Sequence, residues 1–409
     1  MHRVCFVSPL ARPILEPEFR CNFGGAEVRS VNFATGLASD HQFDVSMVLR
    51  SYRRERARRI GKLTVYSEWA EQPILRTKDL KRDRYFAWNL LRSKFRKLTR
   101  SIRKRHQTEE PQVPRVLPLL TELPVDVLCC FGVNNYSANV VESAKQSKKQ
   151  SLLFIAHDQD LDYNGKQKLI AQGYGGDFRV YKQVVTSADE IVVQTPHQQT
   201  LLKDNFGRSA TIIRNPINLN NRIEPDSDHG DYILWVGRAD TFFKRADKML
   251  KLAAMCPDIP FVAIMNKRNE RVFDELVANT PANVRIVSHV PYREIESYYA
   301  NAAALLSTSE GEGFPNAFLQ AGKYGKPILS LNVDPGEMIS VHGCGLLGHG
   351  DMNDMATVLN DFWANRNRSQ ELSDNILRYV QVFHAFDARI DELGSVVKRM
   401  NNSEKMKAA

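Results

Sequence analysis

Short apolar runs rich in β-branched and aromatic residues alternate, almost from end to end of the 409-residue chain, with stretches whose apolar positions recur every three or four residues. Runs of that length predict buried strands, and the three-to-four spacing predicts amphipathic helices. In the first half, strands are expected at Arg3–Ser8, Phe43–Leu49, Val125–Phe131, Ser151–Ala156, Glu190–Val193 and Ala210–Ile213. Helices are expected between them, among others at Ala26–Ala38 and Pro196–Asn205. The rhythm breaks over Asn218–Asp231, where Pro225, Asp226, Ser227, Asp228 and Gly230 crowd together with little apolar content, as a linker does. A second series then predicts strands at Tyr232–Val236, Pro260–Met265, Val284–Val287, Ala303–Leu306 and Pro327–Leu331. Its helices are expected at Lys244–Met255, Glu270–Ala278, Tyr292–Ala300, Asn316–Tyr324 and Met352–Ala364, and Gln370 through Met400 reads as helical before a frayed end at Asn401–Ala409.

Alternation of this kind predicts the α/β class, with parallel sheets joined by crossover helices. Two doubly wound, Rossmann-like domains of similar size are expected, residues 1–217 and 218–384, with their strand C-terminal ends facing a central cleft. Ligands of open α/β sheets bind at such ends.

Composition changes this picture little. Hydrophobic residues make up 43% and charged residues 25%, which excludes a disordered or collagen-like chain. No window holds the roughly 18–20 uninterrupted apolar residues of a membrane span. The segment VCFVSPL is followed by Ala11, Arg12 and Pro13 with no cleavage-type ending, and reads as a first strand, not a signal peptide. Cys5, Cys21, Cys129, Cys130, Cys256 and Cys344 form no CxxC or other metal-ligand spacing and fit buried thiols of a reducing cytoplasm. A cytoplasmic protein is expected.

Charge changes it more. The net charge of +9 is concentrated: Arg50 to Arg105 holds 20 Lys/Arg against 5 Asp/Glu, which leaves the remaining residues net negative. Within that block Trp88, Leu91, Phe95, Leu98 and Ile102 form the stripe of an amphipathic helix. Arg92, Lys94, Arg96, Lys97, Arg100, Arg103, Lys104 and Arg105 surround the stripe. Two compatible readings stay open: a helix docked on the core, and an interfacial helix on anionic lipid, where Arg92, Arg96, Lys97 and Arg100 would meet headgroups. Nucleic acid is not expected, since no recognition motif or aromatic stacking platform accompanies the charge.

Four segments that follow expected strands carry candidate chemistry. In NFGGAE, Gly24 and Gly25 precede a helix, where backbone can approach a ligand and helix N–H groups can face an anion. In WVGRADTFFKRADKML, Arg238 directly follows a strand and Lys244 is expected to open a helix, so the two cations could clamp a diphosphate. In STSEGEGFPNAFLQAGKYGKPILS, Glu310 and Glu312 sit in a glycine-rich loop, Pro315 suits a first helical position, and Gln320 lies about two turns beyond Glu312. Glu312 could orient sugar hydroxyls or simply face the helix dipole. In FIAHDQD, His157 and Asp158 end a strand; a lone histidine is more often structural. Asp158 and Asp160 also match a loose DxD pattern, a weak sign of a metal-held nucleotide sugar.

Together these segments resemble the retaining nucleotide-sugar glycosyltransferases of the GT-B fold, the "glycosyl transferases group 1" (family 4 type) family. The resemblance rests on GGAE, the strand ending in HD, VVQTPHQQTLL, RNPIN, VGR with a Lys six residues later, and EGFPNAFLQA. It implies the GT-B architecture, with the donor in the C-terminal domain and a C-terminal helix, about 385–409, packed back on the acceptor-side N-terminal domain. It implies that Arg238 and Lys244 neutralise the diphosphate of a UDP-, GDP- or ADP-sugar without metal or cofactor. It implies that Glu312 and His157 act at the donor sugar, and that Gly24, Gly25, Gly313, Phe314, Pro315, Asn316 and Gln320 belong to the donor site. The family's ribose-binding Glu is Gln320 here, which still offers an acceptor oxygen. The implied acceptor is a glycan or a lipid-linked glycan of cell-surface polysaccharide or lipopolysaccharide synthesis, reached by a cytoplasmic enzyme peripheral to the inner face of the plasma membrane. Two other classes stay open: a sugar-nucleotide epimerase on the same scaffold, and a non-catalytic membrane- or glycan-binding protein.

Overall fold

The computed structural model describes residues 1–20, 23–51, 55–69, 75–76, 113–162, 178–220, 222–226, 231–267, 269–288, 290–292, 294–366 and 369–408. The expected basic helix with Arg92, Arg96, Lys97 and Arg100 lies outside the described residues. In chain order the first half runs β1 (His2–Val7), α1 (Arg12–Leu15), β2 (Phe19–Arg20), α2 (Gly25–Leu37), β3 (Phe43–Ser51), β4 (Arg58–Ile60), β5 (Leu63–Trp69) and β6 (Leu75–Arg76). It continues through α3 (Pro118–Glu122), β7 (Val127–Phe131), α4 (Asn135–Gln146), β8 (Gln150–Phe154), α5 (Phe178–Ser187), β9 (Glu190–Val193), α6 (Pro196–Phe206) and β10 (Thr211–Ile212). The second half runs β11 (Ile233–Arg238), α7 (Ala246–Met255), β12 (Phe261–Asn266), α8 (Glu270–Ala278), β13 (Val284–Val287), α9 (Ile295–Ala300), β14 (Ala304–Ser307) and α10 (Asn316–Lys323). It closes with β15 (Ile328–Ser330), β16 (Gly345–Leu347), α11 (Met352–Ala364), α12 (Gln370–His384) and α13 (Phe386–Ala408).

Among the described residues the first sheet has the order β10-β9-β8-β7-β1-β3-β5-β4, and the second β13-β12-β11-β14-β15-β16. The second is parallel throughout; in the first, β4 joins β5 antiparallel. Strands covered on both faces need apolar side chains at nearly every position, which is why β1 and β11 read as continuous hydrophobic runs. Alternation still sorts them: Ile233 and Trp235 belong to one buried cluster with α7 and α11 residues, Leu234 to another with α10 and α12.

The chain divides into two compact units, Met1–Phe154 with Tyr163–Ile191 and Gly394–Ala409, and Ile155–Asp162 with Val192–Leu393. Each is a mixed α/β body built on parallel strands. In the first, the end of α13 closes on the sheet: Lys398 Nζ lies 5.4 Å from the Phe43 ring and Asn401 Nδ2 is 2.8 Å from His2 Nδ1.

Most expected elements appear within two residues, and the differences have local causes. Lys244 does not open a helix; α7 starts at Ala246, because Arg245 is left-handed (φ 51°, ψ 52°) and the Asp240 carboxylate draws the preceding amides into a turn. Pro315 precedes α10 in extended conformation, and the helix begins at Asn316. The stretch read as helical over 370–400 is two helices, separated at Ala385 (φ −51°, ψ 127°), which bridges to Ile217. Helix α13 runs on to Ala408, through the end expected to be frayed. Strands β4 and β5 lie in the basic stretch and escape sequence reading, although Leu63, Val65, Tyr66 and Trp69 gave β5 a signal. Among the described residues, no helix is long and apolar enough to cross a membrane.

Candidate functional site

The order of the second sheet locates a site without reference to side chains. From β11 the chain steps outward through β12 and β13, then returns to place β14 on β11's other edge. The strand order therefore reverses between β11 and β14, and the crevice beyond the carboxyl ends at such a point is where open α/β sheets take ligands. Two loops emerge there, Ala239–Arg245 after β11 and Thr308–Pro315 after β14. They are stitched together: Glu310 N–H donates to Phe243 O at 2.9 Å, and Thr308 Oγ1 donates to Lys244 O at 2.8 Å while accepting the Trp235 indole N–H at 3.0 Å.

Cations and carboxylates interleave on these loops. Lys244 Nζ is hydrogen-bonded to Glu312 Oε1. Arg245 is paired to Asp247 and to Glu310, and Lys248 Nζ lies 2.7 Å from Glu310 Oε1. Arg238 Nε is 3.5 Å from Asp240 Oδ2, its guanidinium 5.4 Å from the Phe243 ring centre and its side chain 41% exposed. Burial on its own would raise the Glu312 carboxyl; the Lys244 ammonium, His157 and hydrogen bonds from Lys244 and Ser309 outweigh it and hold the group below the usual carboxylate range. Lys244, Glu312, Ser309 and Pro315 line one pocket with Trp235 and Phe318.

The HD segment joins this group from a distant part of the sequence. His157 Nε2 is 2.9 Å from Gly311 O, and its Nδ1 accepts the Gln159 N–H at 3.1 Å. With Nδ1 accepting, the Nε2 side of the ring carries the N–H that faces the Gly311 carbonyl. The edge of the ring meets Phe243, centroids 5.7 Å apart. Asp158 takes a hydrogen bond from Gln198 Nε2 at 2.9 Å, and Gln198 Oε1 accepts from Gln194 N–H. Burial pushes the Asp158 carboxyl above its usual range despite Gln198 and the two nearby histidines. Gly313 threads this crowd: a Cβ there would lie 2.6 Å from Ala156 O and from Gln194 Nε2.

The structure thus brings together His157, Arg238, Lys244, Glu312 and Gly313. Phe314 is buried against Tyr379 and His384, centroids 6.4 and 4.5 Å away. Asn316 Oδ1 accepts from Asn215 Nδ2 at 3.0 Å. Gln320 lies on α10 with a buried Oε1 that has no hydrogen-bond partner among the described residues. Gly24 and Gly25 belong to the first unit; both are exposed at the start of α2, where Gly24 N–H donates to Glu27 Oε2 at 2.7 Å. Sequence reading passed over Asp240, Phe243, Arg245, Gln194 and Gln198. The Asp two residues after the strand-ending Arg was the available signal for the first. Among the described residues no group of three or more His, Cys, Asp or Glu is placed to hold a metal ion.

Residues 230–365 match the family described as glycosyl transferases group 1. Solved structures with this fold include sucrose-phosphate synthase from Thermosynechococcus elongatus, 15% identical, covering 98% of this chain and 100% of that one at a TM-score of 0.72. A TarM variant from S. aureus in complex with fondaparinux, α-GlcNAc-glycerol and UDP is 11% identical, with 97% and 100% covered at 0.67. The E. coli protein described as trehalose-6-phosphate bound with UDP-2-fluoro glucose is 10% identical, with 97% and 99% covered at 0.61. No curated protein matches the sequence.

Proposed function

We propose that this chain, which has the GT-B fold and matches glycosyl transferases group 1 over residues 230–365, moves a hexose or similar sugar from a nucleoside-diphosphate sugar to a glycan or lipid-linked acceptor, with retention and without metal. The observation that carries this reading is the convergence of Arg238, Lys244, His157 and Glu312, from three separated segments, at the switch point of the second sheet. Two of the structural neighbours are described with UDP or UDP-2-fluoro glucose, which favours a UDP-sugar as the first donor to try.

In this reading Arg238 and Lys244 meet the diphosphate, and residues 1–217 supply the acceptor side. The bond between the anomeric carbon and the leaving phosphate oxygen breaks, its electron pair going to that oxygen as the two cations absorb the growing charge. The acceptor hydroxyl forms the new bond on the same face and gives its proton to the departing phosphate. Glu312 holds the sugar and steadies positive charge at the reacting carbon; His157 offers its Nε2 proton to a sugar hydroxyl once it leaves Gly311. Glycosyl transfer by positioning and electrostatics needs no side-chain nucleophile. Thermal-shift screening of UDP-, GDP- and ADP-sugars should find a stabilising donor. Turnover with that donor should survive a chelator and yield an α-linked product by NMR. A β-linked product, loss of activity with chelator, or donor turnover without any acceptor would each overturn part or all of the reading.

The basic block of residues 50–105 further supports an anionic or lipid-anchored acceptor at the inner face of the plasma membrane. Flotation with anionic but not neutral vesicles is the expected result, and equal flotation with both would remove it.

A further inference from the structure

Asp240 stands two residues beyond the end of β11 and is 6% exposed. Its Oδ1 accepts three successive backbone N–H groups, from Phe242 at 3.2 Å, Phe243 at 2.7 Å and Lys244 at 2.8 Å. Its Oδ2 is buried, makes no hydrogen bond among the described residues, and lies 3.5 Å from Arg238 Nε. A turn-forming role is satisfied by Oδ1 alone. A second carboxylate oxygen kept from water without a donor costs free energy unless a cation faces it, and the cation facing it is Arg238.

We infer that Asp240 is a positioning residue that sets both diphosphate-binding cations at once, the backbone under Lys244 through Oδ1 and the guanidinium of Arg238 through Oδ2. The inference rests on the donor site proposed above. Turning Nε toward Asp240 leaves the terminal nitrogens of Arg238, with their forked N–H groups, for phosphate oxygens. The Phe243 ring, itself fixed by the turn, backs the same guanidinium at 5.4 Å. One short side chain thereby fixes the spacing between a side-chain fork and a main-chain anchor six residues apart.

The test is a double-mutant cycle read as nucleoside-diphosphate affinity, using whichever of UDP, GDP or ADP the wild type binds. Asp240→Asn keeps an acceptor for the three amides but sets an N–H₂ group against Arg238 Nε–H. It should leave the melting temperature nearly unchanged, weaken binding about tenfold, and add less than twofold in an Arg238→Ala background. Binding within twofold of wild type, or an undiminished effect without Arg238, overturns the inference while leaving the proposed function standing. A wild type that binds none of the three diphosphates overturns both. Should the variant not fold, the wild-type protein still decides: slow solvent exchange of the Arg238 Nε–H supports the contact, and exchange at the rate of a free guanidinium refutes it.

Discussion

The Lys244–Glu312 pair holds two opposite charges that the proposed reaction must use separately. With the ammonium engaged by Glu312, an arriving diphosphate competes with a carboxylate already in place. Glu312→Gln should therefore strengthen nucleoside-diphosphate binding severalfold while lowering kcat by at least a hundredfold, a split that calorimetry and steady-state kinetics can read. Lys244→Met works in the opposite sense. Glu312 is held below its usual range only because Lys244 and its companions outweigh burial. Its contribution is present above the ordinary carboxylate value and is lost as pH falls through the depressed one. Without Lys244, two of the contributions that oppose burial are lost and the carboxyl rises, so the acid limb of kcat/KM should move to higher pH. An unmoved limb would mean that Glu312 is not the group titrating there.

At the scale of elements, the loop after β14 is held by its lack of side chains as much as by its bonds. A methyl on Gly313 would press into Ala156 O, a backbone atom that cannot swing aside, and into the amides of Gln194 and Gln198. Gly313→Ala should cost about 1–3 kcal/mol of stability and reduce turnover more than tenfold by displacing Glu312 from Lys244; denaturant unfolding and kinetics on one preparation test both. Much of this level was legible beforehand. Strand β11, the helix from Asn316 and the HD strand end announce themselves by apolar runs closed by Gly, Pro or charge. The turn between Arg238 and Ala246 was not legible, because Lys244 and Arg245 have ordinary helix propensity and only the Asp240 carboxylate diverts them. The break at Ala385 was expected from the resemblance alone, since nothing in the local sequence forbids a helix there and the pairing with Ile217 decides.

The whole molecule is assembled out of sequence order. The first unit takes back the final segment, Gly394–Ala409, in which Val396, Val397 and Met400 are buried. Ending the chain at Leu393 should remove on the order of a few kcal/mol of apolar burial and lower Tm by at least several degrees; an unchanged Tm would show that α13's end is dispensable. The second unit likewise recruits His157 from a segment far ahead of β11, so its site is complete only in the full chain. The Trp235 indole is almost fully buried, and its N–H rests on Thr308, the hydroxyl that also ties down the carbonyl of Lys244. Any occupant that shifts either loop must disturb that fluorophore, giving the protein a native emission signal by which the proposed arrival of a sugar nucleotide can be followed in stopped-flow mixing, with no label attached.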